Sequence, residues 1–237
     1  MQPIRSHAAG GAYHWREYRI DEFFPPTEPG SRVLLLGCGD AGERPMLEAR
    51  GLTVVGFDIR RSAGVDVLGD AHKLPFRDAS FDIVLSMQVL EHLRSPWLAA
   101  SETARVLQPE GWFIGSVAFM KPYHGSYFHM SHLGVQQLLS TAGLTVDKLA
   151  GAQSVTYSIY GEMLPFVSRP LRRAVLGAFD RLAFKLRASL WSLVRRQDPD
   201  RPSDRYGDGV PLSFRDFDRL RAAPAVVFRA RKMQDSR

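Results

Sequence analysis

The tightest constraint on this chain lies between residues 32 and 58. Arg32–Leu36 is the apolar run RVLLL, and it stops at Gly37-Cys38-Gly39-Asp40-Ala41-Gly42. Consecutive apolar residues in so short a run predict a strand covered on both faces, and the glycines predict a tight turn after it. Residues 43–50 then read as a helix and Thr53–Asp58 (TVVGFD) as a second strand. A strand, a crossover helix and a second buried strand make a parallel pair, so the unit commits the chain to a sheet with helices on its faces.

The alternation continues. Residues 65–68 and 81–87 (FDIVLSM) read as strands, and 96–107 as a helix carrying Trp97, Leu98, Ala100, Ala104 and Leu107 at helical spacing. A Pro109-Glu110-Gly111 turn leads into a strand at 112–118. Residues 132–142 read as a helix that Gly143 stops, and 144–149 as a sixth strand. From 151 to 223 the rhythm breaks. Residues 170–194 place Leu171, Val175, Ala178, Phe179, Leu182, Leu186, Leu190 and Leu193 on one stripe at steps of three and four. Residues 197–211 form a polar Pro/Asp/Gly stretch, expected as a loop, and 225–231 (AVVFRAR) a last strand. The expected organisation is an N-terminal cap segment at 1–30, an α/β core at 31–150, a helical and loop insertion at 151–223, and a final core strand with a tail at 224–237. No internal repeat is present.

Composition excludes several classes. A single cysteine, Cys38, rules out a disulfide framework, and no Cys/His cluster has zinc-ligand spacing, so no metal is expected. The first twenty residues lack the apolar core of a signal peptide, and no run of about 18 apolar residues suggests a span. The expected location is therefore the cytoplasm. The net charge is +6, but it is unevenly spread. Residues 162–237 hold 17 Lys and Arg against 9 Asp and Glu, while residues 1–161 hold 14 against 16. The positive charge belongs to the last third and bears on partners more than on chemistry.

The Gly37–Gly42 turn matches G-x-G-x-x-G between a strand and a helix, and Asp58 follows 21 residues after Gly37 at the end of the second strand. On these residues alone a nicotinamide or flavin enzyme is a fair reading: the glycines admit a pyrophosphate and the acid takes ribose hydroxyls. The turn by itself is a weak signal, since any tight strand-to-helix connection favours glycine. Further segments decide. VLLLGCGDAG, GFD, GDAHKLPFRDASFDIVLSMQVLEHL, RVLQPEGWFIGSV and LLSTAGLTV follow one another at close intervals. Together they resemble class I S-adenosylmethionine-dependent methyltransferases, in particular the small-molecule branch with a Leu-Glu-His signature after the fourth strand. The resemblance covers about residues 31–150, and 225–231 resembles that family's antiparallel last strand.

The resemblance implies a Rossmann-like, seven-stranded, mostly parallel sheet with a helical insertion before the last strand. It implies S-adenosyl-L-methionine as cofactor, with Gly37, Cys38 and Gly39 against its methionine portion. Asp58 would take both ribose hydroxyls and Ile59 would pack on the adenine. Asp70 would receive the adenine amino group, Ala71 would offer its backbone to the ring, and Gln88 would lie near the sulfonium. Two departures stand out. The family usually has an acid two residues before the first glycine, where this chain has Leu35; its usual third glycine is Ala41. Asp40 is the acid that could compensate.

Methyl transfer is an in-line displacement, so the enzyme must align the nucleophile and, for a hydroxyl, take its proton. Histidine is the natural base at neutral pH. His92, His124, His129 and His132 fall near the inferred site, and His92, His129 and His124 are the catalytic candidates. Glu91 could instead cap a helix, with His92 packing. The aromatic, His-rich segment 121–132 resembles the acceptor loop of methyltransferases of sugar and polysaccharide biosynthesis, with His129 its best single residue. Packing, with Ser131 capping the next helix, is the bland alternative. Tyr13, His14, Trp15 and Tyr18 are expected to lie over the cofactor or simply to pack.

The 170–194 helix admits three roles: a lid over the acceptor, an interfacial helix on anionic lipid at the inner face of the membrane, or a dimer contact. Nucleic acid is not expected, because no RNA-binding motif is present. The expected activity is methylation of an oxygen on a sugar, glycolipid or other small metabolite, free or lipid-linked. The alternatives are a nicotinamide-dependent oxidoreductase and a non-catalytic scaffold on the same fold.

Overall fold

A computed structural model describes residues 18, 20–121, 124–153, 156, 168–195, 198–200, 210 and 212–233. Its strands are β1 (Arg32–Leu36), β2 (Thr53–Asp58), β3 (Val67–Leu68), β4 (Phe81–Met87), β5 (Leu107–Ala118), β6 (Leu144–Ala152) and β7 (Ala225–Lys232). The helices are α1 (Arg44–Glu48), α2 (Pro96–Val106), α3 (His132–Thr141), α4 (Arg169–Arg195) and α5 (Phe214–Ala222), with short 3-10 turns at Ile20–Glu22 and Leu90–His92. The sheet has seven strands in the order β3-β2-β1-β4-β5-β7-β6. The first five are parallel, and β7 runs antiparallel between β5 and β6. The α/β Rossmann-like expectation is met.

Both faces of the sheet are dry. On β1, Leu34 and Leu36 face one core with Phe57, Val84, Phe113 and Phe228, while Val33 and Leu35 face the other with Ile83, Leu85, Ile114 and Val227. This period-2 split explains why the strand sequence is apolar at every position. The second core is closed by Tyr18, Ile20, Phe23 and Phe24, all buried. Tyr18 therefore packs under the sheet, and Tyr13, His14 and Trp15 lie outside the described residues. Arg50 and Lys148 sit over the rings of Phe24 and Phe23 and tie the same segment down.

Two details differ from the sequence reading. The Pro109-Glu110-Gly111 turn does not precede the fifth strand but lies inside β5. Its pairing with β4 jumps from Phe81–Leu107 to Ile83–Trp112, and Glu110 takes φ +65° to absorb the extra residues. The helix α5 escaped a periodicity search because it is short and polar. Its start is a side-chain cap, with Ser213 Oγ accepting from the Asp216 N–H at 3.0 Å. Val210, Leu212 and Leu220 join the first core, so the core's packing reaches back into the 151–223 segment. Most of the expected 197–211 loop lies outside the described residues.

Among the described residues the long helix α4 is attached along one side only. Ala188 is buried, Asp180 accepts from the backbone and hydroxyl of Thr156, Arg187 pairs with Asp218 at 2.7 Å, and Trp191 stacks on Phe214 at 4.4 Å. The opposite side is bare. Leu171, Val175, Phe179, Leu182, Leu186, Leu190, Leu193 and Val194 are each 55–76% exposed. Among the described residues no helix is long and apolar enough to cross a membrane.

Candidate functional site

In an open parallel sheet, ligands sit beyond the carboxyl ends of the strands, where the order reverses. In this sheet the reversal lies between β1 and β4, and the residues singled out above stand at those ends. After β1, the N–H groups of Gly37 and Cys38 both donate to Phe57 O, at 2.8 and 3.0 Å, binding the turn to β2. Gly37 has φ +70°, and a Cβ on it would lie 2.4 Å from Val89 Cγ2; no other residue fits. Gly39 has φ +49°, and a Cβ on it would meet nothing within 4 Å. The turn thus packs at Gly37 and opens at Gly39. Ala41, where the resembling family has glycine, takes φ +50° in the buried face of the turn. A left-handed alanine costs about 1 kcal/mol.

Asp58 is held by backbone. Its Oδ2 accepts from the Gly39 N–H at 2.9 Å, and its Oδ1 from the Arg60 N–H at 2.9 Å. A carboxylate has lone pairs left for further donors. Beside it Ile59 is 66% exposed. Asp70 Oδ1 accepts from the N–H of His72 at 2.9 Å and contacts its Nδ1 at 2.5 Å. The backbone bond first, then the ring, holds the Asp70 carboxyl below its usual range. Ala71 next to it is buried. Cys38 is half-buried, and desolvation, with Asp58 second, pushes its thiol up to about 12. Leu35 is part of the second core, and Asp40 is exposed on the turn.

After β4 the site changes character. Gln88 takes φ +58°, a conformation non-glycine residues rarely adopt, and its N–H donates to Ser116 O at 2.9 Å. Its side-chain amide reaches Ser116 Oγ at 3.3 Å and accepts from Lys121 Nζ at 3.3 Å. Glu91 is fully buried. Its Oε1 accepts from the Ala118 N–H at 3.1 Å and stands 3.6 Å from His124 Nε2. The Glu91 carbonyl accepts from Tyr127 and Phe128, which fastens the 124–130 loop to the end of β4. Burial lowers the pKa of both His92 and Lys121.

The three catalytic candidates converge, although 37 residues separate the first from the last. The rings of His92 and His124 stand 4.7 Å apart edge to face, and those of His124 and His129 6.3 Å apart. His129 Nε2 also contacts the His124 carbonyl at 3.2 Å. His132 does not join them. It opens α3, is buried, and meets Phe217 of α5 edge to face at 5.9 Å. Ser131 caps α3 by accepting from Gly134 N–H at 3.3 Å, as the packing alternative required, while the loop it ends still carries the histidines. Pro122 and Tyr123 lie outside the described residues. Glu91, in the Leu-Glu-His signature, and Lys121, first in the 121–132 segment, carry no individual site role in the sequence reading, yet both stand among these side chains. Their signal was only their place, each a few residues past the end of a central strand.

Known proteins resemble this chain. Residues 34–115 match the family described as the methyltransferase domain. A protein of Mycolicibacterium smegmatis described as a probable S-adenosylmethionine-dependent methyltransferase is 32% identical over 143 residues, 52% of this chain and 55% of that one. The 27-O-demethylrifamycin SV methyltransferase of Amycolatopsis mediterranei is 35% identical over 104 residues, covering 36% of this chain and 38% of its own. A fatty-acid O-methyltransferase of M. smegmatis is 37% identical over 100 residues, 36% of either chain. The chain thus spans about half or less of the curated relatives it matches. Among solved structures, the phosphoethanolamine N-methyltransferase 2 of Haemonchus contortus in complex with S-adenosyl-L-methionine shares the fold. Its TM-score is 0.56 at 18% identity, over 93% of this chain and 53% of that one. The [4+2]-cyclase SpnF shares it too, with a TM-score of 0.54 at 18% identity over 95% and 80%.

Proposed function

We propose that this chain, whose residues 34–115 match the methyltransferase domain family, is a class I S-adenosylmethionine-dependent methyltransferase that transfers the methyl group of its cofactor to an oxygen of a sugar, glycolipid or other small metabolite. The observation that carries the reading is the glycine turn, packed at Gly37, open at Gly39 and bonded through the Gly39 N–H to Asp58. The open turn, the exposed Ile59 and the Asp70–Ala71 pair stand after the carboxyl ends of β1, β2 and β3, where a nucleoside with an amino-acid tail would lie. The same fold in a cyclase warns that architecture alone does not fix the chemistry, so the reading rests on these residues and the domain match.

When bound, S-adenosylmethionine supplies a methyl carbon on a positively charged sulfur; the acceptor oxygen bonds to that carbon as the carbon–sulfur bond breaks. The chain's own residues then have three tasks. Gly39 leaves room for the methionine end beside Gly37 and Cys38, whose half-buried thiol desolvation holds in its neutral form. Asp58 and Asp70 read the nucleoside. Gln88, bridged to Ser116 and Lys121, borders the methyl, and the row of His92, His124 and His129 receives the acceptor and its proton. An oxygen acceptor is favoured because a row of imidazoles is suited to take a hydroxyl proton. Labelled methyl transfer from the cofactor into an extract of the source cell, with identification of the product, tests this. Failure to bind S-adenosylmethionine sinks it, and binding of a nicotinamide dinucleotide instead would put an oxidoreductase in its place.

A second observation supports a membrane-borne acceptor. The bare stripe of α4 is not covered by any described part of the chain, and the helix has seven Lys and Arg and one acid, Asp180, which is buried. An apolar face with only basic flanks suits the surface of an anionic bilayer better than a lid. The chain should float with anionic vesicles at low salt and be released by salt; no association at low salt excludes this reading.

A further inference from the structure

Glu91, His92 and His124 offer three ligand atoms that lie within 4.8 Å of one another. They come from two separate segments, so no spacing rule could have joined them. Glu91 is completely buried, yet among the described residues its Oε2 has no hydrogen-bond partner, and neither has the buried Nε2 of His124. Two ligand atoms of a carboxylate and an imidazole without a hydrogen bond at one spot are costly, because each lost its water on folding, and the 3.6 Å from His124 Nε2 to Glu91 Oε1 is too long to replace it. His92 closes the group from its exposed side.

From this geometry we infer that Glu91, His92 and His124 form a binding site for a single divalent transition-metal ion of the zinc class, open toward the acceptor. Two imidazole nitrogens and one carboxylate oxygen are the donor set of open zinc sites, with a remaining position for water or substrate. Bonds of about 2.0–2.1 Å place tetrahedral ligands roughly 3.3 Å apart. His124 Nε2 and Glu91 Oε1 are already at 3.6 Å, and no pair of the three ligand atoms is more than 4.8 Å apart. The supporting contacts that such sites use are also present. The Ala118 N–H orients the carboxylate, and the His124 ring stands against that of His92, edge to face at 4.7 Å. The competing cation is the Lys121 ammonium, but it is engaged with Gln88 Oε1. This inference rests on the methyltransferase reading only for its consequence. An ion there would hold the acceptor oxygen, and His129, outside the donor set, would be the ring left to take the proton.

The test is made on the full, tag-free chain without S-adenosylmethionine, so that it stands apart from the cofactor reading. Stripped protein is titrated with Zn²⁺ by calorimetry, and with Co²⁺, whose visible absorption reports ligand number. One ion per chain is expected, with nitrogen and oxygen ligands. His124→Ala and His92→Ala should each weaken it by more than the 10–100-fold that an outer-sphere partner costs. His129→Ala should leave it unchanged. Glu91→Gln keeps the volume and an acceptor for Ala118 N–H, and should weaken the ion with the fold intact by circular dichroism. No stoichiometric ion, an ion undiminished in His124→Ala, or equal loss in His129→Ala overturns the site. S-adenosylmethionine binding by the stripped protein is measured separately, and its failure would instead strike the cofactor assignment.

Discussion

At the ends of β1 and β2 the proposed cofactor surface is mostly backbone: Gly39 N–H holds Asp58, Arg60 N–H holds its other oxygen, and Gly37 leaves room for Val89. At the ends of β4 and β5 it is mostly side chain: Gln88, Glu91, His92, Lys121, His124 and His129 meet across two loops. The first surface is rigid because its positions are set by the sheet and by obligatory backbone bonds. The second depends on how 121–132 folds back onto Glu91. One side can hold a fixed cofactor, and the other can be re-specified for different acceptors without disturbing it.

The largest effect that separates the two concerns Cys38. Burial first, and Asp58 second, raise its thiol from 9.0 to about 12. A raised pKa keeps the neutral thiol, so at pH 8 the thiolate fraction falls from about one in ten to about one in ten thousand. Alkylation of this single cysteine should therefore run about a thousandfold slower in the native chain than in urea, and rise with pH through the alkaline range. Labelling of the native chain at the unfolded rate would show that the turn opens readily. The rigid side would then be no more rigid than the loop.

A crossed pair of substitutions gives the next two effects. If His129 serves the acceptor, His129→Ala should lower turnover about a hundredfold and leave S-adenosylmethionine affinity unchanged. Asp58→Ala should do the reverse in kind, weakening the cofactor at least tenfold, about 1.4 kcal/mol for the lost charge-assisted hydrogen bonds. Calorimetry for binding and labelled-methyl kinetics for turnover read the two separately. A cofactor defect in His129→Ala, or unchanged affinity in Asp58→Ala, would dissolve the division between the sides.

The same division explains what was legible in the sequence. Strand ends, glycine turn and Asp58 are local features, written in a few consecutive residues whose apolar run and turn chemistry have one structural solution. The positions named for the cofactor consequently fall at strand ends as expected. The meeting of Glu91 with His124 depends on the path of a loop closed by the Tyr127 and Phe128 N–H groups on the Glu91 carbonyl, and nothing local encodes that. His132 shows the cost of reasoning by proximity in sequence: three residues past His129, it starts α3 and turns into the core. The helix α5 does carry an apolar stripe, Phe214, Phe217 and Leu220 at steps of three, but it is only nine residues long and otherwise polar, and the Ser213 cap and the docking of Leu220 into the first core complete it.

The smallest effect is expected where the sequence looked most core-like. Leu182 and Leu186 lie on successive turns of the α4 stripe, 58% and 56% exposed, while Ala188 on the other side is buried. Because exposed leucines give up little by becoming charged, Leu182→Glu and Leu186→Glu should each change stability by no more than about 0.5 kcal/mol in denaturant titration. A glutamate at 182 even gains Lys185 three residues on. Ala188→Glu should cost several kcal/mol, since it drives a charge into the packed side. The two leucine variants should nonetheless lose binding to anionic vesicles, because each puts a negative charge in the middle of the face that meets lipid. If either destabilises the chain in water by 2 kcal/mol or more, the stripe is covered by some other part of the chain, and α4 is a packed lid rather than a surface for lipid.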